Sequence, residues 1–196
     1  TDDINGYDVA GGEAIPPLKA NGFQVCAANN GLAPSIMLGY TQMLGASQAS
    51  LEYDSVGNRF MLNLATPLEN AASGLIVFTQ DWRVERKLTE DMGTMEHEFL
   101  VEVKGEVAPD ALKPIGYALK DERLDLPTVK VSVSSSTPEM SRLRFAIKGS
   151  HPGLVAYLCG LANLEMLAMR RIRLGRVTIA DLPVGQWRFL ADYEKF

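Results

Sequence analysis

Alternating apolar and polar side chains predict several short strands along this chain. The clearest one runs from Glu98 to Gly105, where Phe-Leu-Val-Glu-Val alternates as a half-buried strand does. Short apolar and β-branched stretches bounded by turn residues predict further strands. These strands span residues 23–27, 59–65, 74–79, 128–134, 142–148, 164–174 and 177–179.

Apolar residues three or four positions apart predict helices. A surface helix covers residues 82–88, with Asp81 as its N-cap, and a short helix begins at Pro109. A compact apolar helix covers residues 153–162, and one short helix is expected within residues 29–50. Strands outnumber helices and no strict strand–helix–strand alternation is present. This favours an α+β fold with a mixed, mostly antiparallel sheet flanked by helices.

Length and composition indicate an ordinary globular domain. The chain has 196 residues, 46% of them hydrophobic, which is enough to build a core without a metal or a disulfide. Residues 1–20 contain Gly-Gly and Ile-Pro-Pro without a sustained period, so we expect an irregular arm left from a lost or truncated N-terminal module. Residues 21–196 are expected to form one domain, and the protein is expected to be a monomer.

Charge and cysteine content restrict the partners and the compartment. The formal net charge is -5 and the sequence pI is about 5.1, the opposite of the basic balance that nucleic-acid binding usually needs. No apolar run approaches the ~20 residues that span a bilayer, and the start at Thr1 lacks the features of a signal peptide. Cys26 and Cys159 lie in apolar runs, as buried thiols do. We therefore expect a cytoplasmic protein without membrane partners.

Motifs for metal and cofactor chemistry are not found in the sequence. Its two histidines, His97 and His151, do not lie in a cluster with zinc-ligand spacing. No glycine-rich phosphate loop is present, so neither a metal nor a cofactor is expected. Cys159 and His151 could form a nucleophile and its base. A cysteine within an apolar helix is disfavoured as a thiolate, however, so core packing is the preferred interpretation.

Three sequence blocks occur in a specific order. Pro67-Leu-Glu-Asn-Ala-Ala-Ser-Gly-Leu-Ile-Val-Phe-Thr79 comes first, and Glu96-His-Glu-Phe-Leu-Val101 follows. The last block, residues 167–190, contains Arg-Arg-Ile-Arg-Leu-Gly and then Leu-Pro-Val-Gly-Gln-Trp-Arg-Phe-Leu. In order and spacing these blocks resemble the catalytic domain of RsuA-type pseudouridine synthases, which isomerise uridine in ribosomal RNA. The resemblance implies a mostly antiparallel sheet with a central cleft, and an N-terminal RNA-binding module of which residues 1–20 would be the remnant.

The same resemblance assigns candidate site residues. The family's nucleophilic Asp corresponds to Glu69, the Arg two residues before it to Pro67, and the Tyr that packs against the flipped base to Phe99. The resemblance implies substrate contacts for five residues: Leu68, His97, Phe99, Arg171 and Arg173. Glu69 would be the catalytic carboxylate.

The sequence departs from the family at positions that matter for chemistry. Glu69 carries its carboxylate one methylene further out than Asp, and a displacement of about 1 Å can cost on the order of 100-fold in rate. Pro67 removes a charge that could orient that carboxylate. The family's arginine-rich helix motif corresponds to residues 153–158, where no arginine remains. The losses fall on catalysis and on phosphate contacts.

Three functional hypotheses follow. The favoured one is a pseudoenzyme that keeps the pseudouridine-synthase fold as a binding or assembly factor with weak affinity for ribosomal RNA. The second is an active RNA isomerase that uses Glu69, which requires Glu69 to face an open cleft beside Phe99. The third is a module that binds protein and no RNA.

Overall fold

The sheet organises the whole fold. A computed structural model describes residues 26–29, 36–41, 50–55, 58–66, 68–79, 82–191, 193, 194 and 196. Within them, eleven strands join in one mixed sheet. The strands are β1 (Cys26–Asn29), β2 (Ile36–Thr41), β3 (Ser50–Ser55), β4 (Asn58–Leu64), β5 (Ala72–Thr79), β6 (Glu96–Lys104), β7 (Val129–Ser136), β8 (Met140–Lys148), β9 (Met166–Leu174), β10 (Val177–Thr178) and β11 (Trp187–Phe189).

Most neighbouring strands of the sheet are antiparallel. The main order is β1-β3-β4-β5-β9-β6-β8-β7, with β2 paired to β5 and to β11, and β10 paired to β9. The pairs β1–β3 and β5–β9 are parallel, and the other pairs are antiparallel. The α+β fold with a mostly antiparallel sheet is confirmed.

Three α-helices accompany the sheet within the described residues. They are α1 (Trp82–Asp91), α2 (Lys113–Ala118) and α3 (Leu154–Leu161), and single 3-10 turns cover Pro109–Leu112 and Glu122–Leu124. None of these helices is long and apolar enough to cross a membrane. Leu154, Val155, Leu158 and Cys159 of α3 are buried, so this helix covers one face of the sheet.

Strand β5 is buried on both faces. Its residues Ile76 and Phe78 belong to a core cluster that also contains α3 residues, whereas Leu75 and Val77 belong to a second cluster with Leu88 of α1. Helices thus pack against the sheet on both sides of β5. The continuous apolar run at residues 74–78 has this cause, because a strand with two buried faces does not alternate.

The helix predicted within residues 29–50 is wrong where the structure describes that segment. Ile36–Thr41 is strand β2, which pairs with β5 along its whole length and with β11 on its other side. Leu38 is fully buried in the core cluster that contains Leu75 and Leu88, so tertiary packing and pairing decide the conformation where the spacing of apolar residues was ambiguous. Strands β3 and β11 were not predicted. The predicted arm at residues 1–20, Asp81 and Pro67 lie outside the described residues.

Candidate functional site

Four of the predicted site residues line one narrow cleft. Glu69, His97, Phe99 and Arg171 form it together with the loop of residues 149–152. The cleft has a volume of about 20 Å³, and the empty space rises to about 310 Å³ when its open mouth is included. Its interior has room for a single water molecule.

Strand alternation and one β-bulge bring these side chains together. His97 and Phe99 lie two apart on β6 and therefore share a face of the sheet. In the pairing of β6 with β9, Glu98 is opposite Arg173 and Phe99 is opposite Arg171, so Ile172 is an extra residue on β9. This bulge places Arg171 on the cleft side and leaves Arg173 on the other face.

Gly74 permits the close approach of β5 to this part of β9. It lies opposite Arg171 in the parallel ladder and has a φ of +109°. A Cβ atom there would collide with the carbonyl oxygen of Arg171 and would lie 2.8 Å from its amide nitrogen. Glycine is therefore required beside the cleft for both conformation and space.

Arg171 is a buried cation held by the backbone of a neighbouring segment. Its side chain is 2% exposed; Nε donates to the carbonyl of Leu75 at 3.0 Å and Nη2 donates to the carbonyl of Thr66 at 2.7 Å. Burial lowers the pKa of Arg171 to about 10, and the nearby Glu69 carboxylate partly opposes that shift. The guanidinium stays charged at neutral pH.

Glu69 lies in the turn before β5 and reaches the start of α3. Its Oε2 accepts a hydrogen bond from the amide of Gly153 at 2.7 Å. Gly153 is the N-cap residue of α3, and it provides no side-chain cap. The carboxylate satisfies a helix-terminal donor and lies at the positive end of the helix dipole. Burial raises the pKa of Glu69, while the Gly153 hydrogen bond and the charge of Arg171 act in the opposite direction.

His97 is almost fully buried beside Phe99. The two rings stack with centroids 6.4 Å apart and an angle of 15° between their planes. His97 is 3% exposed and Phe99 is 7% exposed. Burial first, and the charge of Arg171 second, lower the pKa of His97 to about 4, so the ring is neutral at physiological pH.

Comparison with solved structures finds a protein of similar fold. No protein-family model and no curated protein sequence matches the chain. The crystal structure of a pseudouridylate synthase aligns with a TM-score of 0.59 at 14% identity, over 84% of this chain and 73% of that one. The fold is that of a pseudouridine synthase. The archaeal box H/ACA sRNP Nop10–Cbf5 complex also aligns, with a TM-score of 0.48 at 11% identity, over 76% of this chain and 50% of that one.

Two of the predicted site residues lie outside the cleft of this pseudouridine synthase fold. Leu68 is buried in the core cluster beside β5. Arg173 donates from Nε to Glu98 at 2.5 Å and from Nη2 to Glu96, on the opposite face of the sheet from His97 and Phe99. The carboxylates at 96 and 98 thus hold Arg173 away from the cleft.

Sequence reasoning did not find the loop that closes the cleft. Residues 149–152 line it, and a ring nitrogen of His151 bonds the carbonyl of Lys148 at 3.1 Å. The Gly-Ser-His-Pro-Gly stretch signals a turn, and a turn carries no hint of a site. Cys159, which the sequence offered with His151 as a possible nucleophile and base, is buried, and burial raises the pKa of its thiol to about 11. Within the described residues no three His, Cys, Asp or Glu side chains form a metal-binding group.

Proposed function

We propose that this protein is a catalytically inactive pseudouridine-synthase-fold protein that acts as a binding or assembly factor. One observation carries the proposal: Glu69, the acid at the predicted nucleophile position, is hydrogen-bonded to Gly153 in a cleft of about 20 Å³. A pyrimidine ring does not fit into that volume. Isomerisation would need the whole base and its sugar carbon beside the carboxylate.

The contact with Gly153 gives Glu69 a structural task. A carboxylate that is bonded to the scaffold through one oxygen has fewer orientations in which its other oxygen can approach a substrate along the line of attack. Here Oε2 serves as the remote cap of α3, and the longer Glu side chain provides the reach for that contact. The residue that corresponds to the nucleophile by position therefore bonds the start of α3.

Helix α3, next to the cleft, lacks the charges that hold RNA. Residues 153–158, which correspond to the family's arginine-rich motif, contain no charged residue, and neither does the rest of α3. With a net charge of -5, the protein releases few counterions on contact with phosphates. Weak contact with ribosomal RNA, or contact with a protein, fits this surface better than tight RNA binding.

A second candidate function is active uridine isomerisation by Glu69. Arg171 favours it, because this buried cation lies close enough to Glu69 for each charge to shift the pKa of the other. The charge of Arg171 would then replace the charge of the family's Arg, whose position is occupied by Pro67. Under this alternative the loop of residues 149–152 would have to move to admit a base.

Pseudouridine formation distinguishes the two functions. The full chain and its Glu69→Gln variant are incubated with unmodified total ribosomal RNA and with a panel of uridine-containing stem-loops, and pseudouridine is quantified by mass spectrometry. Neither protein is expected to form it above the level without protein. Turnover by the unmodified chain that Glu69→Gln abolishes would establish the isomerase. Turnover that survives Glu69→Gln would refute both the inactive function and a catalytic role for Glu69.

A further inference from the structure

Strand β7 forms an open edge of the sheet. It pairs with β8 on one side, and no other strand among the described residues pairs with it. Natural sheets commonly protect such an edge with a short strand, a proline or charged side chains that point inward. β7 has eight residues, no proline and one charged side chain, Lys130. Its pairing with β8 is regular from Val129 to Val133 and shifts register only after that. The edge is therefore open to a further strand.

The backbone groups of alternate β7 residues face this open edge. The carbonyl of Thr128 accepts a hydrogen bond from the amide of Lys148 at 3.3 Å. Bonded and non-bonded residues alternate along an antiparallel pair, so positions 130 and 132 also bond β8, and the positions between them point their N–H and C=O groups away from it. No described segment bonds those outward groups. They belong to three residues, here called the edge valines: Val129, Val131 and Val133.

The edge valines also carry the apolar core out to the edge. Their side chains are half-buried and pack against the core cluster that contains Leu143, Phe145 and Ile147 of β8. A further strand with apolar side chains on this face would continue the row and bury the edge valines more completely. Every second residue of a fitting partner is therefore apolar.

The opposite face of the two outer strands is basic, although the whole chain has a net charge of -5. Four exposed side chains, here called the basic strip, are the charged residues of β7 and β8: Lys130, Arg142, Arg144 and Lys148. Alternation along β8, and the pairing of Lys130 with Ala146, put all four on one face. On β6, Glu102 pairs with Arg142 and Glu98 pairs with Arg144.

Lys130 is the member of the basic strip that lies on the edge strand itself. It forms no ion pair within the described part of the chain. It acts on Glu96 only from a distance: the hydrogen bond from Arg173 is the largest cause that lowers the pKa of Glu96, and the charge of Lys130 contributes least. A carboxylate on an added strand would lie directly beside Lys130, where cross-strand pairs of opposite charge stabilise a sheet.

We propose that β7 is a docking edge at which an extended acidic peptide of a partner protein adds as a further strand. Apolar residues of the peptide lie beside the edge valines, carboxylates lie beside Lys130, and backbone hydrogen bonds hold the strand. Charge favours this occupant over a second copy of the chain, because two β7 strands side by side would bring two basic strips together. RNA has no ladder of amides and carbonyls to match the edge valines. β7 lines no part of the cleft, so the inference goes beyond the proposed function and holds whether or not Glu69 is catalytic.

Hydrogen exchange at single amides, followed by NMR of the nitrogen-15-labelled full chain, tests the docking edge. The probe is the capped peptide Ser-Val-Glu-Val-Glu-Val-Ser in excess. We expect slower exchange at the amides of the edge valines and no change at Lys130 and Ser132, whose amides already bond β8. N-methylation of the peptide valines removes the N–H groups that face β7 and should abolish the protection. N-methylation of the peptide glutamates changes only groups that face away and should preserve it.

Three variants separate the charge from the backbone. Lys130→Glu replaces attraction by repulsion and should weaken peptide binding about tenfold, measured by fluorescence anisotropy. Lys87→Glu makes the same charge change at an exposed position of α1 and should leave the affinity unchanged. Val131→Pro removes an outward N–H, which an edge strand tolerates, and should abolish the protection. If Val131→Pro does not fold, the methylated peptides on the unmodified chain still decide the matter.

Four results would overturn the docking edge. Two of them are the absence of protection by the peptide and equal protection by the two methylated peptides. Protection that appears without peptide and rises with the concentration of the chain would assign the edge to a second copy. Displacement of the peptide by ribosomal RNA fragments would assign the basic strip to RNA. Pseudouridine formation, in contrast, would refute the proposed function and leave the docking edge untouched.

Discussion

His97 and Arg171 are both buried polar residues of the cleft, but the protein satisfies them to different degrees. Arg171 donates to the carbonyl of Leu75 in β5 and to the carbonyl of Thr66 in the segment between β4 and β5. His97 has a bonded nitrogen on one side and an unpaired one on the other. Arg171 is therefore bonded into the scaffold, whereas one ring nitrogen of His97 is buried without a hydrogen-bond partner among the described residues.

The burial of neutral His97 makes stability sensitive to acid. Its folded pKa, about 4, lies below the unfolded value near 6.5, so its stabilising contribution is complete above pH 6.5 and is lost as the pH falls toward 4. We expect this residue alone to remove roughly 3 kcal/mol of unfolding free energy between pH 7 and pH 4. The His97→Gln variant has no titrating group at this position. Its free energy of unfolding, relative to that of the unmodified chain, should therefore rise by that amount as the pH falls from 7 to 4. Urea unfolding of both proteins at several pH values measures the gain, and a difference independent of pH would contradict the expectation.

At the scale of elements, the contact between β5 and β9 depends on the glycine at position 74. Gly74→Ala places a Cβ against the backbone of Arg171 and forces an unfavourable φ, so it should cost about 3 kcal/mol or more. Gly160→Ala is the matched control: Gly160 is exposed in α3 and has nothing within 4 Å of the added atom. It should stabilise the protein by about 0.5–1 kcal/mol. Urea denaturation midpoints of the two variants should move in opposite directions.

The chain after β11 is fixed by an ion pair. Arg188 donates to both carboxylate oxygens of Glu194 at 2.6 and 2.7 Å, and the amide of Ala191 donates to the same carboxylate at 2.9 Å. Arg188 holds the pKa of Glu194 below its usual range. The stabilisation is therefore present above the unfolded pKa near 4.5 and is lost as the pH falls through the lower folded value.

Removing that carboxylate charge tests the ion pair. Glu194→Gln should cost about 2 kcal/mol at pH 7, and the cost should vanish in strong acid, where the unmodified Glu194 is also neutral. Glu165→Gln breaks the exposed pair with Lys104 and should change stability by less than about 1 kcal/mol. Unfolding measured between pH 2 and pH 7 compares the two variants. Equal costs for both would show that burial of the Arg188 pair adds nothing.

The sequence allowed the elements with clear local signals to be predicted and failed where long-range pairing decides. β6, β8, α1 and α3 were found because alternation or helical spacing is strong in them. β2 was misassigned, since its backbone pairing with β5 and β11 decides its conformation and its sequence carries no clear period. For the cleft, Glu69, His97, Phe99 and Arg171 came from the resemblance. The bulge at Ile172 and the closing loop have no sequence signal, so Arg173 could not be separated from Arg171.

At the scale of the whole molecule, the acidic surface limits RNA binding. Binding of ribosomal RNA fragments should be weak and only slightly sensitive to salt, because few basic residues can neutralise phosphates. Placing arginines at exposed α3 positions, as in Ala156→Arg with Gly160→Arg, should raise both the affinity and the salt dependence by about one counterion per added charge. Fluorescence anisotropy at salt concentrations from about 50 to about 300 mM gives both the affinity and its salt dependence. Sub-micromolar binding by the unmodified chain that falls steeply with salt would contradict the expectation.

The position of β9 in the sheet has a consequence for synthesis on the ribosome. β9 lies between β5 and β6, yet it follows both by dozens of residues in the sequence. Until Met166–Leu174 leaves the exit tunnel, the facing edges of β5 and β6 have no partner, and unpaired edges invite association with other chains. A nascent chain therefore leaves the facing edges of β5 and β6 open until β9 has been made, and the sheet closes only when this late segment inserts between the two early ones.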